Sequence, residues 1–191
     1  YSVIRALRAI DRADVALLVL DAPELVTAQD MHIAGYIQQA TKGVVVIVNK
    51  WDLVVDRSII EYNRYIRRQL KFMTYAPVLY ISAKFGQGVD RIMPQVRQVY
   101  QERLKRLSAA EVNNVVQEAL AAHNLPRIGG KQLKVLQATQ TEVNPPTFVF
   151  FVNDAKLIHF SYQRYLENKL RQAFGFVGTP FRLVFKTRSE Q

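Results

Sequence analysis

The sequence predicts an α/β layer over residues 1–107, a parallel sheet with flanking helices, followed by an α+β layer over residues 108–191 with the order α-β-β-α-β. Three observations carry this expectation. Short apolar runs, Val15 to Leu20, Val44 to Val48 and Val78 to Ile81, alternate with segments of helical periodicity. From Ser108 the alternation stops, and two β-like stretches precede one amphipathic helix and a last β-like run. Apolar residues make up 49% of the 191, enough to bury one or two cores.

Val3, Ile4, Leu7 and Ile10 recur at helical spacing, and the run to Leu20 that follows reads as a buried strand ending at Asp21. Thr27 or Asp30 starts the next helix, with Ile33, Tyr36, Ile37 and Ala40 on its apolar face, and Lys42-Gly43 stops it before the second strand. Ile59, Ile60, Ile66 and Leu70 mark a third helix, which Ala76-Pro77 breaks before the third strand. Val89, Ile92, Met93, Val96, Tyr100, Leu104 and Leu107 predict one long closing helix. Short buried strands joined by helices imply a parallel sheet covered on both faces, and the handedness of crossovers leaves a doubly wound layer.

In the second part, Ser108 and Glu111 have the spacing of a capping box, and Val112, Val115, Val116, Ala119 and Leu120 form a helical stripe ending before Asn124-Leu125-Pro126. Gln132 to Thr141 and Thr147 to Val152 read as strands separated by Asn144-Pro145-Pro146, since adjacent prolines would interrupt a ladder. Ser161 is expected to cap a helix carrying Tyr162, Tyr165, Leu166, Leu170, Ala173 and Phe174. Gly175 to Pro180 ends that helix, and Phe181 to Phe185 is the final strand.

Composition narrows the function classes. No apolar run approaches the roughly 20 residues that span a bilayer. The N-terminus lacks the order of a signal peptide and reads as an internal position of a longer chain. The absence of cysteine excludes disulfides and thiolate metal sites, and His32, His123 and His159 are far apart, so no metal site is expected and the cytoplasm is the expected compartment. The net charge of +10 favours a polyanionic partner. It is spread over both parts, with 16 basic and 10 acidic residues in 1–107 and 10 basic and 6 acidic in 108–191.

Ligands of open α/β sheets bind beyond the carboxyl ends of the strands. There the second strand runs into Asn49-Lys50-Trp51-Asp52, and the third into Ser82-Ala83-Lys84. A carboxylate at Asp52 suits guanine, whose N1–H and exocyclic amine present two adjacent donors. Adenine has an unprotonated N1 there, and an unpartnered polar site discriminates strongly. Asn49 is expected to bond the base edge and tie its loop to neighbouring backbone. The Lys50 stem would cover one ring face, and the Ala83 N–H would donate to guanine O6. Ser82 and Lys84 would hold the second loop. The plain alternative is a pair of ordinary strand-to-helix loops.

These segments match the N-K-x-D and S-A-K guanine-specificity motifs of GTPases, about thirty residues apart and both at strand ends. The whole chain resembles the Der (EngA) family of bacterial double GTPases. Tyr1 to Leu7 with Ala9 to Arg12 is similar to the helix after switch II of that family's second GTPase domain. Pro145 to Phe148, Phe151 to Asp154, His159 to Tyr162 and Ala173 to Pro180 are similar to its KH-like domain. The resemblance implies that residues 1–107 are the C-terminal portion of a P-loop-NTPase-type G domain and that 108–191 are the KH-like domain. It also implies GTP and GDP as ligands, contact with the protein's own upstream GTPase domain, and work with rRNA of the large (50S) ribosomal subunit during ribosome biogenesis. The alternative is a nucleotide-independent RNA- or ribosome-binding module.

The 191 residues contain no G-x-x-x-x-G-K-[ST] phosphate loop and no D-x-x-G segment. Mg²⁺ is therefore expected through residues outside this sequence, no catalytic residue is assigned, and the 191 residues alone are expected not to hydrolyse GTP. No G-x-x-G backbone clamp is found either, because Gly129-Gly130 is adjacent and Gly175 to Gly178 reads as a helix cap and turn. Arg64, Arg67, Arg68 and Lys71 share one helical face that is either solvated or in contact with rRNA phosphates, and Arg103, Lys105 and Arg106 are read the same way. Trp51 is expected to pack on the next loop. Tyr162, Tyr165, Phe174 and Phe176 are expected to be mainly core, and His159 a packed or surface residue. Asp56 and Glu61 lie too far from any partner motif for a paired-carboxylate hydrolase.

Overall fold

Val44 to Val48 is a run in which every side chain is apolar and buried, and the first sheet is built around it. The computed structural model describes residues 2–55, 58–123, 127–128 and 130–188. Tyr1, Asp56, Asn124-Leu125-Pro126 and Gly129 of the readings above lie outside the described residues. Two units are present, Tyr1–Arg103 with Val177–Pro180, and Leu104–Phe176 with Phe181–Gln191.

The first unit contains α1 (Ser2–Arg12), β1 (Val15–Asp21), α2 (Ala28–Gln39), β2 (Gly43–Asn49), α3 (Ile59–Gln69), β3 (Val78–Tyr80) and α4 (Ile92–Leu104). The strands form a parallel sheet in the order β1-β2-β3. Leu18, Leu20, Val46 and Val48 pack on one face with Ile37, Ile66 and Leu70, while Val45 and Ile47 pack on the other with Ile81 and Val99. Thr27 caps α2 with the reciprocal bonds of a capping box through Asp30. The expected covering of both sheet faces holds for β2 but not for β1. Leu17 and Val19 are 44% and 54% exposed, because among the described residues only the Ala16, Leu18 and Leu20 face of β1 is covered. The expected long closing helix is also shorter: a 3-10 turn, Val89–Arg91, precedes α4, and Leu107 is buried in the second unit's core.

Val177–Pro180 belongs to the first unit, where it lies against the start of β2. The Val44 N–H donates to the Gly178 carbonyl at 2.8 Å, and the Gly178 N–H donates to the Tyr75 carbonyl at 2.9 Å. Gly178 has φ +71°, and a Cβ there would stand 2.3 Å from Val99 Cγ2, so both backbone and space require glycine. Arg103 is 2% exposed and donates to the Thr41 carbonyl and to Thr179 Oγ1 at 2.9 and 3.1 Å. It is therefore neither solvated nor available to phosphate.

The second unit contains α5 (Ala109–Ala122), a short pair β4 (Arg127–Ile128) and β5 (Lys131–Gln132), β6 (Val135–Glu142), β7 (Thr147–Val152), α6 (Phe160–Phe174) and β8 (Arg182–Thr187). The sheet order is β6-β7-β8, antiparallel then parallel. The stretch expected as one strand from Gln132 is divided, with Gln132 in the short pair and the main strand starting at Val135. Ser108 and Glu111 form the capping box of α5. Helix α6 starts earlier than expected: His159, not Ser161, is its N-cap, and its ring accepts from the Ser161 N–H. Phe148, Phe150 and Phe176 are fully buried with Val116, Leu166 and Leu170, and each large side chain contributes about 1.5–3 kcal/mol by leaving water. Tyr162 is buried and Tyr165 and Phe174 pack against the same core. Lys105 and Arg106 donate to the carbonyls of Phe174 and Gln140, so the basic run before α5 holds local backbone. Gln140, 5% exposed, accepts from the Leu107 N–H and donates to the Lys105 carbonyl, a buried amide fully used.

Candidate base-recognition site

Parallel register aligns the carboxyl ends of the three strands. Asp21 of β1 stands beside Asn49 of β2, and Val48 beside Tyr80 of β3. Past these ends, the Ile81 N–H donates to the Val48 carbonyl at 2.9 Å and the Trp51 N–H to the Ile81 carbonyl at 3.0 Å. The two loops that carry the predicted residues therefore leave the sheet side by side.

Lys50 has φ +59° and ψ +33°, a left-handed conformation for a residue with a Cβ. That reversal sends the chain into the 3-10 turn Trp51–Leu53, which carries the half-buried Asp52. Asn49 ties the loops together, because its Oδ1 accepts from the Ala83 N–H at 3.0 Å. The expected tie from Asn49 to neighbouring backbone is thus present, and its donor is the same N–H expected to face guanine O6. The Lys50 ammonium bonds the Asp21 carboxylate, which holds the lysine pKa above its usual value, first through the hydrogen bond and then through the charge. With its tip held, the aliphatic stem has few ways to leave the loop.

The second loop closes as a tight hairpin. Ser82 and Gln87 exchange both backbone hydrogen bonds, at 3.0 and 3.1 Å. Gly88 follows at φ +72°, where a Cβ would meet the Tyr80 carbonyl at 2.9 Å. Ser82 is 1% exposed, and its Oγ has no hydrogen-bond partner among the described residues. With Trp51, Tyr80 and Arg91 it lines a cavity of about 170 Å³. Lys84 and Ala83 are exposed, and the Lys84 ammonium lies 5.2 Å from the centre of the Phe85 ring.

Sequence reasoning missed the support beneath these loops. Trp51 packs on Tyr62 of α3 and Tyr80 of β3, with ring centres 5.2 and 4.6 Å away, rather than on the following loop. Burial of Tyr80 pushes its pKa up to about 12, and its hydroxyl donates to Asn63 Oδ1 at 2.8 Å. Asp21 was also missed, although the signal was present: it is the first polar residue after an apolar run and ends level with Asn49. The basic face expected on α3 is smaller than its spacing suggests. Arg67 donates to the carbonyls of Thr74 and Ala76, and Lys71 lies beyond the helix end.

Asn49, Lys50 and Asp52 on one loop and Ser82, Ala83 and Lys84 on the other gather at one end of the sheet, where the Asp52 carboxylate and the Lys50 stem suit the edge and one face of a purine and the Ala83 N–H is taken by Asn49. Among the described residues no cluster of three or more His, Asp or Glu could hold a metal ion. No helix among them is long and apolar enough to cross a membrane.

Two family models match separate parts of the chain. Residues 2–102 match the family described as the elongation factor Tu GTP binding domain, and residues 106–186 match the KH-domain-like C-terminal family of EngA bacterial GTPase enzymes. Proteins named GTPase Der from Moorella thermoacetica and Desulfitobacterium hafniense are each 50% identical over 193 residues, covering 100% of this chain and 44% of theirs. The GTPase Der of Symbiobacterium thermophilum is 48% identical, over 100% of this chain and 41% of its own. The chain thus spans less than half the length of these relatives. The solved structure of Era in complex with MgGDPNP and nucleotides 1506–1542 of 16S ribosomal RNA covers 98% of this chain and 70% of its own at 21% identity. Its TM-score of 0.44 is too low to carry an argument.

Proposed function

The chain belongs to the Der (EngA) family of bacterial GTPases, and from that membership we propose that it supplies guanine recognition to a GTP-hydrolysing protein of ribosome assembly. In this reading residues 1–107 are the C-terminal portion of a G domain and residues 108–191 its KH-like domain. Asp52 accepts from guanine N1–H and the exocyclic amine, Asn49 bonds the base edge, and the Lys50 stem covers one face. Ser82, Ala83 and Lys84 form the loop around O6. The phosphate and Mg²⁺ contacts, and hydrolysis itself, come from the longer protein, so the 191 residues alone are inactive. The partners are the upstream GTPase domain and rRNA of the large (50S) subunit in the cytoplasm, where the nucleotide state repositions the domains during subunit maturation.

The observation that carries the reading is the Asn49–Ala83 hydrogen bond, which joins the two predicted motifs into one surface at the strand ends. The test is nucleotide selectivity in the longer protein: GDP is expected to bind at least about 100-fold more tightly than ADP, as a site built around a hydrogen-bond pattern requires. Equal affinities would reject guanine recognition and favour a nucleotide-independent RNA-binding module.

A further inference from the structure

We propose that the outer face of α1 is an RNA-binding surface that grips the phosphate backbone through Arg5, Arg8 and Arg12. The three arginines are exposed and form no salt bridge with any described residue. At 100° per residue they fall within about 60° of one another around the helix, and Arg5 to Arg12 spans about 10 Å of its length. The opposite face of α1 is fixed by Leu7 and Ile10, which pack into the first unit's core. The arginine face is thereby held outward.

The stability of α1 gives little reason for this pattern. A cation in the last turn, as at Arg12, complements the helix dipole, but Arg5 and Arg8 lie outside that turn. The one acid in their midst is already engaged. Asp11 accepts from the Tyr36 hydroxyl at 2.7 Å through its carboxylate, and its carbonyl accepts from Lys42 Nζ at 2.9 Å. That second bond brings a fourth cation to the C-terminal end of the same helix. Arg8, Asp11 and Arg12 line an open hollow of about 450 Å³.

The chemistry fits phosphate oxygens. Guanidinium is planar, weakly hydrated and able to give two parallel hydrogen bonds to one phosphate. No aromatic side chain lies on α1, so nothing there would stack an unpaired base. The surface suits the backbone of a duplex rather than a base sequence. The proposal deepens the ribosomal reading above by naming a surface for its RNA partner, and it is independent of guanine recognition.

The test is binding of the chain to a fluorescently labelled 20-base-pair RNA duplex by anisotropy, titrated in salt. The triple variant Arg5→Gln, Arg8→Gln, Arg12→Gln is expected to lower affinity about 100-fold or more at 0.1 M salt. The slope of log K against log salt should become shallower by about 2–3, as loss of three phosphate contacts requires. Glutamine keeps helix propensity, and an unchanged thermal melt shows that the fold survives. The control Arg64→Gln, Arg68→Gln, Lys71→Gln removes the same charge elsewhere and is expected to cost less than about fivefold. Equal losses in the two triple variants would mean that binding follows net charge, and would overturn the assignment to α1. An unchanged salt slope in the α1 variant would overturn the surface while leaving ribosomal binding standing. Failure of the unmodified chain to bind the duplex at 50 mM salt would also overturn it. So would α1-dependent binding to phosphatidylserine vesicles that matches or exceeds binding to the duplex.

Discussion

The backbone N–H of Ala83 donates to the side-chain oxygen of Asn49 at 3.0 Å, so one carboxamide joins the loops that follow β2 and β3. Asn49→Ala removes the acceptor and is expected to lower unfolding free energy by about 0.5–1.5 kcal/mol, since the freed N–H is exposed and can turn to water. Asn49→Asp retains an acceptor but loses the amide donor, so it should recover much of that stability without recovering guanine affinity in the longer protein. Denaturant unfolding and nucleotide binding, measured on both variants, separate the two roles.

Gly178 tests the contact of Val177–Pro180 with β2 inside the first unit. Gly178→Ala combines a positive φ with a Cβ 2.3 Å from Val99 Cγ2. Left-handed strain of about 1–2 kcal/mol and overpacking of about 1–3 kcal/mol predict a loss of about 2–5 kcal/mol. Denaturant unfolding followed by Trp51 fluorescence reads it. Unchanged stability would show that the segment does not need this geometry.

Acid should weaken the start of α5. The Glu111 pKa lies below its ordinary value of 4.5 because the carboxylate accepts from the Ser108 hydroxyl and the Ser108 backbone N–H. A carboxylate with a lowered folded pKa stabilises the protein above pH 4.5, and that contribution disappears as pH falls through the lowered value. Glu111→Gln should therefore flatten the stability profile in that acid window, with its loss of stability greatest near neutrality and vanishing at the acid end. Ser108→Ala removes the cap itself and is expected to cost about 1 kcal/mol at pH 7. Urea unfolding between pH 3 and 7 checks both.

The fold was legible where local chemistry and tertiary packing ask for the same thing. Val44 to Val48 is apolar without interruption and buried without interruption, and the Ser108/Glu111 box starts α5 as its spacing requires. Val15 to Leu20 looks the same in sequence, yet Leu17 and Val19 are half exposed, because burial of a strand's second face depends on neighbours that its own residues do not specify. Spacing likewise places Arg64, Arg67 and Arg68 together, but the Arg67 guanidinium is consumed by two carbonyls that come close only after α3 turns into β3.

In the candidate site, the motif residues could be read because each has a defined chemical task at a strand end. Their support could not. Lys50 meets Asp21 from 29 residues away, and Trp51 rests on Tyr62 and Tyr80, contacts that exist only through the parallel register of β1, β2 and β3. Asp21 at the end of an apolar run was the one visible hint.

Base recognition through Asp52 is the central claim, and the most direct measurement of it is the affinity of Asp52→Asn for GTP and for xanthosine triphosphate in the protein that carries the phosphate-binding segments. Xanthine presents an acceptor where guanine has its exocyclic amine, so an asparagine amide can donate where the aspartate only accepts. The account predicts that GTP binding falls by at least about 100-fold while XTP binding rises, reversing the preference of the unmodified protein. Unchanged affinities for both nucleotides would contradict it.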